Sequence, residues 1–192
     1  MRAAHMSAAH LGTVATAGAT IWLTGLSGAG KSTISEALIV RLREAGHRVD
    51  ILDGDEVRQV LTADLGFSRE DRITNVRRIG YVAEVVARNG VLALVPVIAP
   101  YAEARDSVRE RHEKAGTPFV LIHVATSVEV CAERDVKGLY AKQKAGLMSG
   151  LTGVDDPYED PTNADLRLDT AGRTLDESVD AVWAVLSARG LV

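Results

Sequence analysis

The residues best equipped for chemistry stand together in Gly25-Leu26-Ser27-Gly28-Ala29-Gly30-Lys31-Ser32, followed by Thr33. A glycine, four free positions and then Gly-Lys-Ser is the spacing of a phosphate-binding loop. A triphosphate needs many donors converging on one small volume. Gly25, Gly28 and Gly30 let the backbone carry its N–H groups close, with Ser27 and Ala29 between them. A helix beginning near Lys31 adds its N-terminal dipole and its unpaired N–H groups, those of Ser32 and Thr33 among them. Lys31 is spaced to reach the β- and γ-phosphates, and the Ser32 hydroxyl to hold Mg²⁺. An ordinary glycine-rich turn rarely carries both Lys and Ser at these offsets.

Such a loop works only between a strand and a helix, and the flanking residues predict both. Ile21-Trp22-Leu23 leads in as a strand, and Ile34 to Leu42 follows with helical spacing up to a stop at Gly46. Val49 to Leu52 reads as a second strand that ends at Asp53-Gly54-Asp55. A helical region from Glu56 to Asn89 is interrupted near Gly66 and closed by Gly90. Val91 to Ile98 is an almost unbroken apolar run, as in a strand buried on both faces of a parallel sheet. A helix over Ala102 to Lys114, a strand over Phe119 to Val124, a short helix over Val128 to Glu133, a strand at Leu166 to Leu168 and a closing helix over Leu175 to Ala188 complete the alternation. The predicted fold is α/β, a three-layer sandwich with a parallel five-stranded sheet and helices on both faces. Ligands in such sheets bind at the carboxyl ends of the strands, which gathers the phosphate loop, Asp53-Gly54-Asp55 and Pro100-Tyr101 around one crevice.

At 192 residues the chain suits a single domain, placed here from residue 19 to 192 behind a disordered lead over residues 1–18. His5 and His10 in that lead have no partner ligands nearby. The formal net charge of -4 argues against nucleic acid as the main partner, because no basic excess is available to release counterions. Cys131 is the only cysteine, so no intramolecular disulfide can form; a buried helical thiol in a reducing cytoplasm is the simplest reading. No apolar run approaches the roughly 18 residues of a membrane span.

A phosphate loop alone does not choose among kinases, GTPases and ATPases. There is no Asn-Lys-x-Asp to read guanine, and Asp135-Val136-Lys137-Gly138 lies far along the chain from the usual Asp-x-x-Gly. A remodelling ATPase carries carboxylates at the end of the third strand, whereas Leu94-Val95-Pro96-Val97-Ile98 has none. Asp53 and Asp55, at the end of the second strand, supply the missing acids. Paired acids beside a phosphate loop suit two tasks: holding the water shell of Mg²⁺, and accepting a proton from an attacking hydroxyl. A solvated Asp-Gly turn is the bland alternative. The residues themselves leave open which aspartate does which.

Several further blocks carry a family resemblance. They are Asp53 to Arg58, Leu65-Gly66-Phe67-Ser68, Asp71-Arg72, Asn75 to Gly80, Arg134 to Tyr140 and Thr152 to Glu159. Together they resemble adenylyl-sulfate kinases of the P-loop superfamily, over roughly Ala19 to Thr170 and with the blocks in order. The resemblance implies transfer of the ATP γ-phosphate to the 3′-hydroxyl of adenosine 5′-phosphosulfate, with Mg²⁺, for sulfate assimilation or sulfation. It assigns Arg58, Arg72 and Asn75 to the phosphosulfate and ribose of the acceptor, with Asp55, Ile98 and Ala99 beside them. Phe67 stacks on the adenine and Leu151 stands opposite. A guanidinium fork matches a doubly anionic phosphosulfate, and an aromatic face suits a purine. Without the family, Arg72, Arg77 and Arg78 read equally well as a solvated helix face.

Residues 134–161 resemble a mobile lid over both nucleotides. Arg134 and Lys137 reach the ATP side, Lys142 and Lys144 only solvate the lid, and Gly138, Gly146, Gly150 and Gly153 serve as hinges. The resemblance also implies a homodimer and allows association with ATP sulfurylase. Two departures stand out. Where many members have a serine proposed to carry phosphate, this chain has Ala99, so transfer is direct. Where many members have a second aromatic, it has Leu151, so acceptor binding is expected to be looser. Another small-molecule kinase on the same fold and a non-catalytic nucleotide-binding module are the competing readings.

Overall fold

Strand β1 (Ala19–Thr24) sends Ala19, Ile21 and Leu23 to one side and Trp22 to the other, and all four are fully buried. A strand apolar on both faces belongs at the centre of a sheet covered on both sides. β3 (Leu92–Pro96) pairs with one edge of β1, with Ile21 opposite Leu94, and β4 (Phe119–Val124) pairs with the other. β2 (Val49–Ile51) lies beyond β3 and β5 (Leu166–Leu168) beyond β4, giving the all-parallel order β2-β3-β1-β4-β5.

The structure, a computed structural model, describes residues 18–192. The expected lead therefore lies outside the described residues except for Gly18, which is buried. Helices α1 (Lys31–Glu44) and α7 (Leu175–Ala188) cover one face through Ile34, Leu38, Leu42, Val182 and Leu186. Helices α3 (Arg69–Arg88) and α4 (Ala102–Ala115) cover the other through Val76, Ile79, Ala104 and Val108, packed on Trp22, Val95 and Leu121. The expected three layers are present. Among the described residues no helix is long and apolar enough to cross a membrane.

Three departures from the sequence expectation have a local reason. α2 (Gly54–Val60) begins before Glu56 because the Asp53 carboxylate accepts from the Asp55 N–H at 2.9 Å and caps it. β3 stops at Pro96 because Thr24 Oγ1 donates to the Ile98 carbonyl at 2.5 Å and the chain turns there. After α5 (Val128–Arg134), the segment expected as the lid contains a helix, α6 (Leu139–Lys144). Asp135 accepts from the N–H groups of Tyr140 and Ala141, satisfying donors that the short helix leaves open.

Candidate active site

The phosphate loop joins β1 to α1 as predicted. Gly25 has φ 150, and a Cβ there would stand 2.3 Å from the Val124 carbonyl oxygen on β4, so the loop can pass this close only with glycine. Gly30 takes a left-handed conformation as the N-cap of α1, which aims the first N–H groups of the helix into the loop. Lys31 is buried, and its Nζ donates to the carbonyls of Gly25 at 2.8 Å and Leu26 at 2.7 Å. Burial, and then the nearby charge of Lys137, lower its pKa to about 8. Ser27 and Ala29 are buried, while Thr33 is exposed.

Around this loop a line of polar groups runs from phosphate site to lid. Ser32 Oγ donates to Asp53 Oδ2 at 3.0 Å. Asp53 caps α2 through the Asp55 N–H, and the Asp55 carboxylate pairs with Lys137 just after α5. The two predicted aspartates thus occupy different places: Asp53 against the loop hydroxyl, Asp55 one helical step out toward the lid. A hydroxyl and a carboxylate side by side are hard oxygen donors of the type Mg²⁺ takes together with phosphates and water. Among the described residues no group of three or more His, Cys, Asp or Glu could hold a metal ion, so Ser32 and Asp53 would hold it only together with the nucleotide.

On the acceptor side, Arg58 donates to the Gly66 carbonyl at 3.1 Å and its guanidinium lies 4.4 Å from the centre of the Phe67 ring. Phe67 is 68% exposed and open to stacking. Burial and the charge of Arg72 lower the Arg58 pKa. Arg72 is buried, with Nε donating to the Phe67 carbonyl at 2.8 Å, Nη1 to Thr152 Oγ1 at 2.9 Å and Nη2 to the Gly150 carbonyl at 2.7 Å. Two of these donors therefore tie α3 to the segment at Gly150 and Thr152, a structural task that the sequence did not foreshadow. Asn75 is buried and accepts from Thr62 Oγ1 at 2.7 Å. Ala99 is buried and Ile98 half-buried at the β3 exit. Leu151 does not stand open opposite Phe67: it is 4% exposed and lies in the core cluster that includes Leu26, Cys131 and Tyr140.

Arg134 packs over the loop, with Nη1 donating to Thr170 Oγ1 at 2.8 Å and to the Gly28 carbonyl at 3.3 Å. Thr126 and Thr170, missed in the sequence, brace the loop from behind: their hydroxyl oxygens lie 3.1 Å and 3.0 Å from the Ala29 carbonyl oxygen. Both follow the carboxyl ends of strands, the one signal that could have drawn attention to them. Tyr140 Oη donates to the Ser27 carbonyl at 3.0 Å and pins α6 to the loop. Cys131 is buried beside Gly28, as expected of a structural thiol, and burial raises its pKa.

Residues 17–169 match the family model for adenylylsulphate kinase. The chain belongs to that family. It is an ATP-dependent kinase on a P-loop α/β fold. Among curated relatives, the adenylyl-sulfate kinase of Rippkaea orientalis is 54% identical over 175 residues, spanning 90% of this chain and 93% of the relative. Among solved structures, the Mycobacterium tuberculosis APS kinase in complex with AMPPNP and APS superposes with a TM-score of 0.86 at 45% identity, covering 88% of this chain and 98% of that one. The hexameric APS kinase from Thiobacillus denitrificans gives 0.71 at 39% identity, covering 92% of this chain and 30% of that one.

The end of the segment expected as the lid is not loose. Gly153 is pinned, since a Cβ on it would stand 2.6 Å from Leu26 Cδ2. Glu159 accepts from the Ala102 N–H at 2.7 Å, and its own N–H donates to the Pro100 carbonyl at 2.8 Å. Tyr158 Oη lies 2.9 Å from Thr24 Oγ1, and burial pushes this phenol up to about 12. Gly138 and Gly146, by contrast, stand at the two ends of α6 with no atom within 4 Å of an added Cβ. Of the four predicted hinges, these two keep open space around them.

Proposed function

We propose that this kinase transfers the γ-phosphate of Mg²⁺-ATP to the 3′-hydroxyl of adenosine 5′-phosphosulfate, forming 3′-phosphoadenosine 5′-phosphosulfate and ADP. The observation that carries the assignment of roles is the line Ser32, Asp53, Asp55, Lys137, each linked to the next by hydrogen bonds or capping. Lys31, Ser32 and the loop N–H groups hold the phosphates. Ser32 and Asp53 would hold Mg²⁺, which would supply neutralisation of the phosphate charge. Asp55 accepts the proton of the 3′-hydroxyl as its oxygen attacks phosphorus in line and the bond to the bridging oxygen breaks. A seated triphosphate competes with Asp55 for Lys137, so Lys137 turns to the phosphates and frees the carboxylate. Ala99 has no hydroxyl to phosphorylate, and transfer is direct.

Arg58 and Asn75 are assigned to the acceptor's anion and ribose, with the two donors of Arg72 that remain. Its adenine stacks on Phe67 alone, a contact worth about 1–3 kcal/mol. Residues 134–150 form the lid, with Arg134 at its root on the ATP side; excluding water there keeps the enzyme from hydrolysing ATP. A homodimer, and association with ATP sulfurylase, are proposed on family resemblance.

The test is ATP consumption with and without adenosine 5′-phosphosulfate. The wild type should need the acceptor, and Asp55→Asn should lose about 10²–10⁴ in kcat while the ATP KM moves less than about twofold. Equal ATP consumption with and without acceptor sinks the acceptor assignment. Near-normal turnover of Asp55→Asn removes Asp55 from the chemistry.

A further inference from the structure

We infer that Arg105 is a positioning residue for the acceptor side of the site, acting through the backbone of the Ile98-Ala99-Pro100 turn; the acceptor side itself rests on the function proposed above. Ala99 has φ 45, one of only two non-glycine residues with positive φ among the described residues. An L-residue without a side-chain oxygen is opposed there by its own Cβ. Pro100 opposes it again, because the residue before a proline is pushed toward extended conformations. Such a turn persists only when its surroundings over-determine it.

Three elements do so, one at each carbonyl. Thr24 Oγ1, at the end of β1, donates to the Ile98 carbonyl at 2.5 Å. Arg105 Nη1, in the first turn of α4, donates to the Ala99 carbonyl at 2.7 Å. The Glu159 N–H, from the segment returning from the lid, donates to the Pro100 carbonyl at 2.8 Å. Arg105 also closes the ring: its Nη2 donates to the Glu159 carbonyl at 2.5 Å. One guanidinium thereby fixes both the strained turn and the strand of chain that braces it. It is 2% exposed and, among the described residues, has no hydrogen bond to a carboxylate. A buried cation given over to two main-chain carbonyls is costly to keep. The turn lies at the carboxyl end of β3, where the Val97 N–H donates to the Leu23 carbonyl two residues before the phosphate loop. Ile98 and Ala99 are the positions assigned to the acceptor; Arg105 itself is not among them, and it acts on the acceptor through its bond to the Ala99 carbonyl.

Lysine keeps the charge but cannot span two carbonyls as a planar fork does. Arg105→Lys should therefore raise the acceptor KM by about tenfold or more, since small displacements of a positioned substrate are costly, while the ATP KM changes less than about twofold. Glycine has no Cβ to resist a left-handed φ, so Arg105→Lys/Ala99→Gly should recover most of the lost acceptor affinity. Hydrogen exchange in the segments 97–102 and 156–160 should quicken in Arg105→Lys and slow again in the double variant. A general structural role would shift both KM values together and be indifferent to Ala99→Gly. An unchanged acceptor KM in Arg105→Lys, a parallel shift in both KM values, or no rescue by Ala99→Gly overturns the assignment. If Arg105→Lys cannot be isolated folded, a folded double variant supports the assignment and an unfolded one overturns it. If the wild type does not use adenosine 5′-phosphosulfate, the acceptor assignment fails, and the exchange comparison still decides the clamp.

Discussion

Lys31 keeps its ammonium where burial resists a charge, and its pKa falls from an ordinary 10.5 to about 8. Between these values an unfolded chain binds the proton and the folded one does not, so over this window the lysine favours folding more as pH rises. Nucleotide binding runs the other way, because a triphosphate restores the charged form. Binding ATP should therefore take up a proton above pH 8, and the ATP Kd should weaken by about tenfold per pH unit between roughly 8.5 and 10. Calorimetry in two buffers of different ionisation enthalpy measures both; a Kd flat across that range, with no proton taken up, would show that binding does not change the protonation of Lys31. At this scale much was legible. Loop geometry depends on local spacing, so Gly25, Lys31 and Ser32 could be read directly. Arg72 could not, because its partners at Gly150 and Thr152 lie far along the chain. Lys137 was read as reaching the ATP side, and its present partner Asp55 is likewise a contact across the fold.

Two elements with a full hydrophobic period were readable to the residue: Phe119–Val124 and Leu175–Ala188 stand where the pattern put them. α6 was not, since six residues of Leu-Tyr-Ala-Lys-Gln-Lys carry too little period to show, and its ends are set by Asp135 and Gly138. Packing also reverses one local preference. Gly80 lies inside the 20-residue α3, where alanine is favoured by about 1 kcal/mol on propensity alone. A Cβ at Gly80, however, would stand 2.4 Å from Val108 Cγ2 and 2.8 Å from Cγ1 across the α3–α4 contact. Gly80→Ala should destabilise the protein by about 1–3 kcal/mol, as overpacked cores do. The melting temperature should fall by roughly 2–4 °C per kcal/mol in a domain of this size. Val108→Ala in the same chain should restore part of the loss. A melting temperature equal to or above wild type would mean that the helices move apart freely.

For the molecule as a whole, the proposed homodimer predicts a sedimenting mass twice that of one chain, concentration-independent in the micromolar range; a single-chain mass would refute it. The sequence by itself determined the class of fold, the phosphate loop and the acids beside it. Those features follow from hydrophobic period, glycine and capping chemistry, each of which acts within a few residues. Tertiary structure decided what long-range contact controls: the division of Asp53 from Asp55, the burial of Leu151, and the engagement of Arg72 by the returning segment. It also decided the left-handed Ala99, for which no local signal exists. Alanine before proline reads as extended chain, and only carbonyl partners drawn from β1, α4 and the segment at Glu159 hold it otherwise.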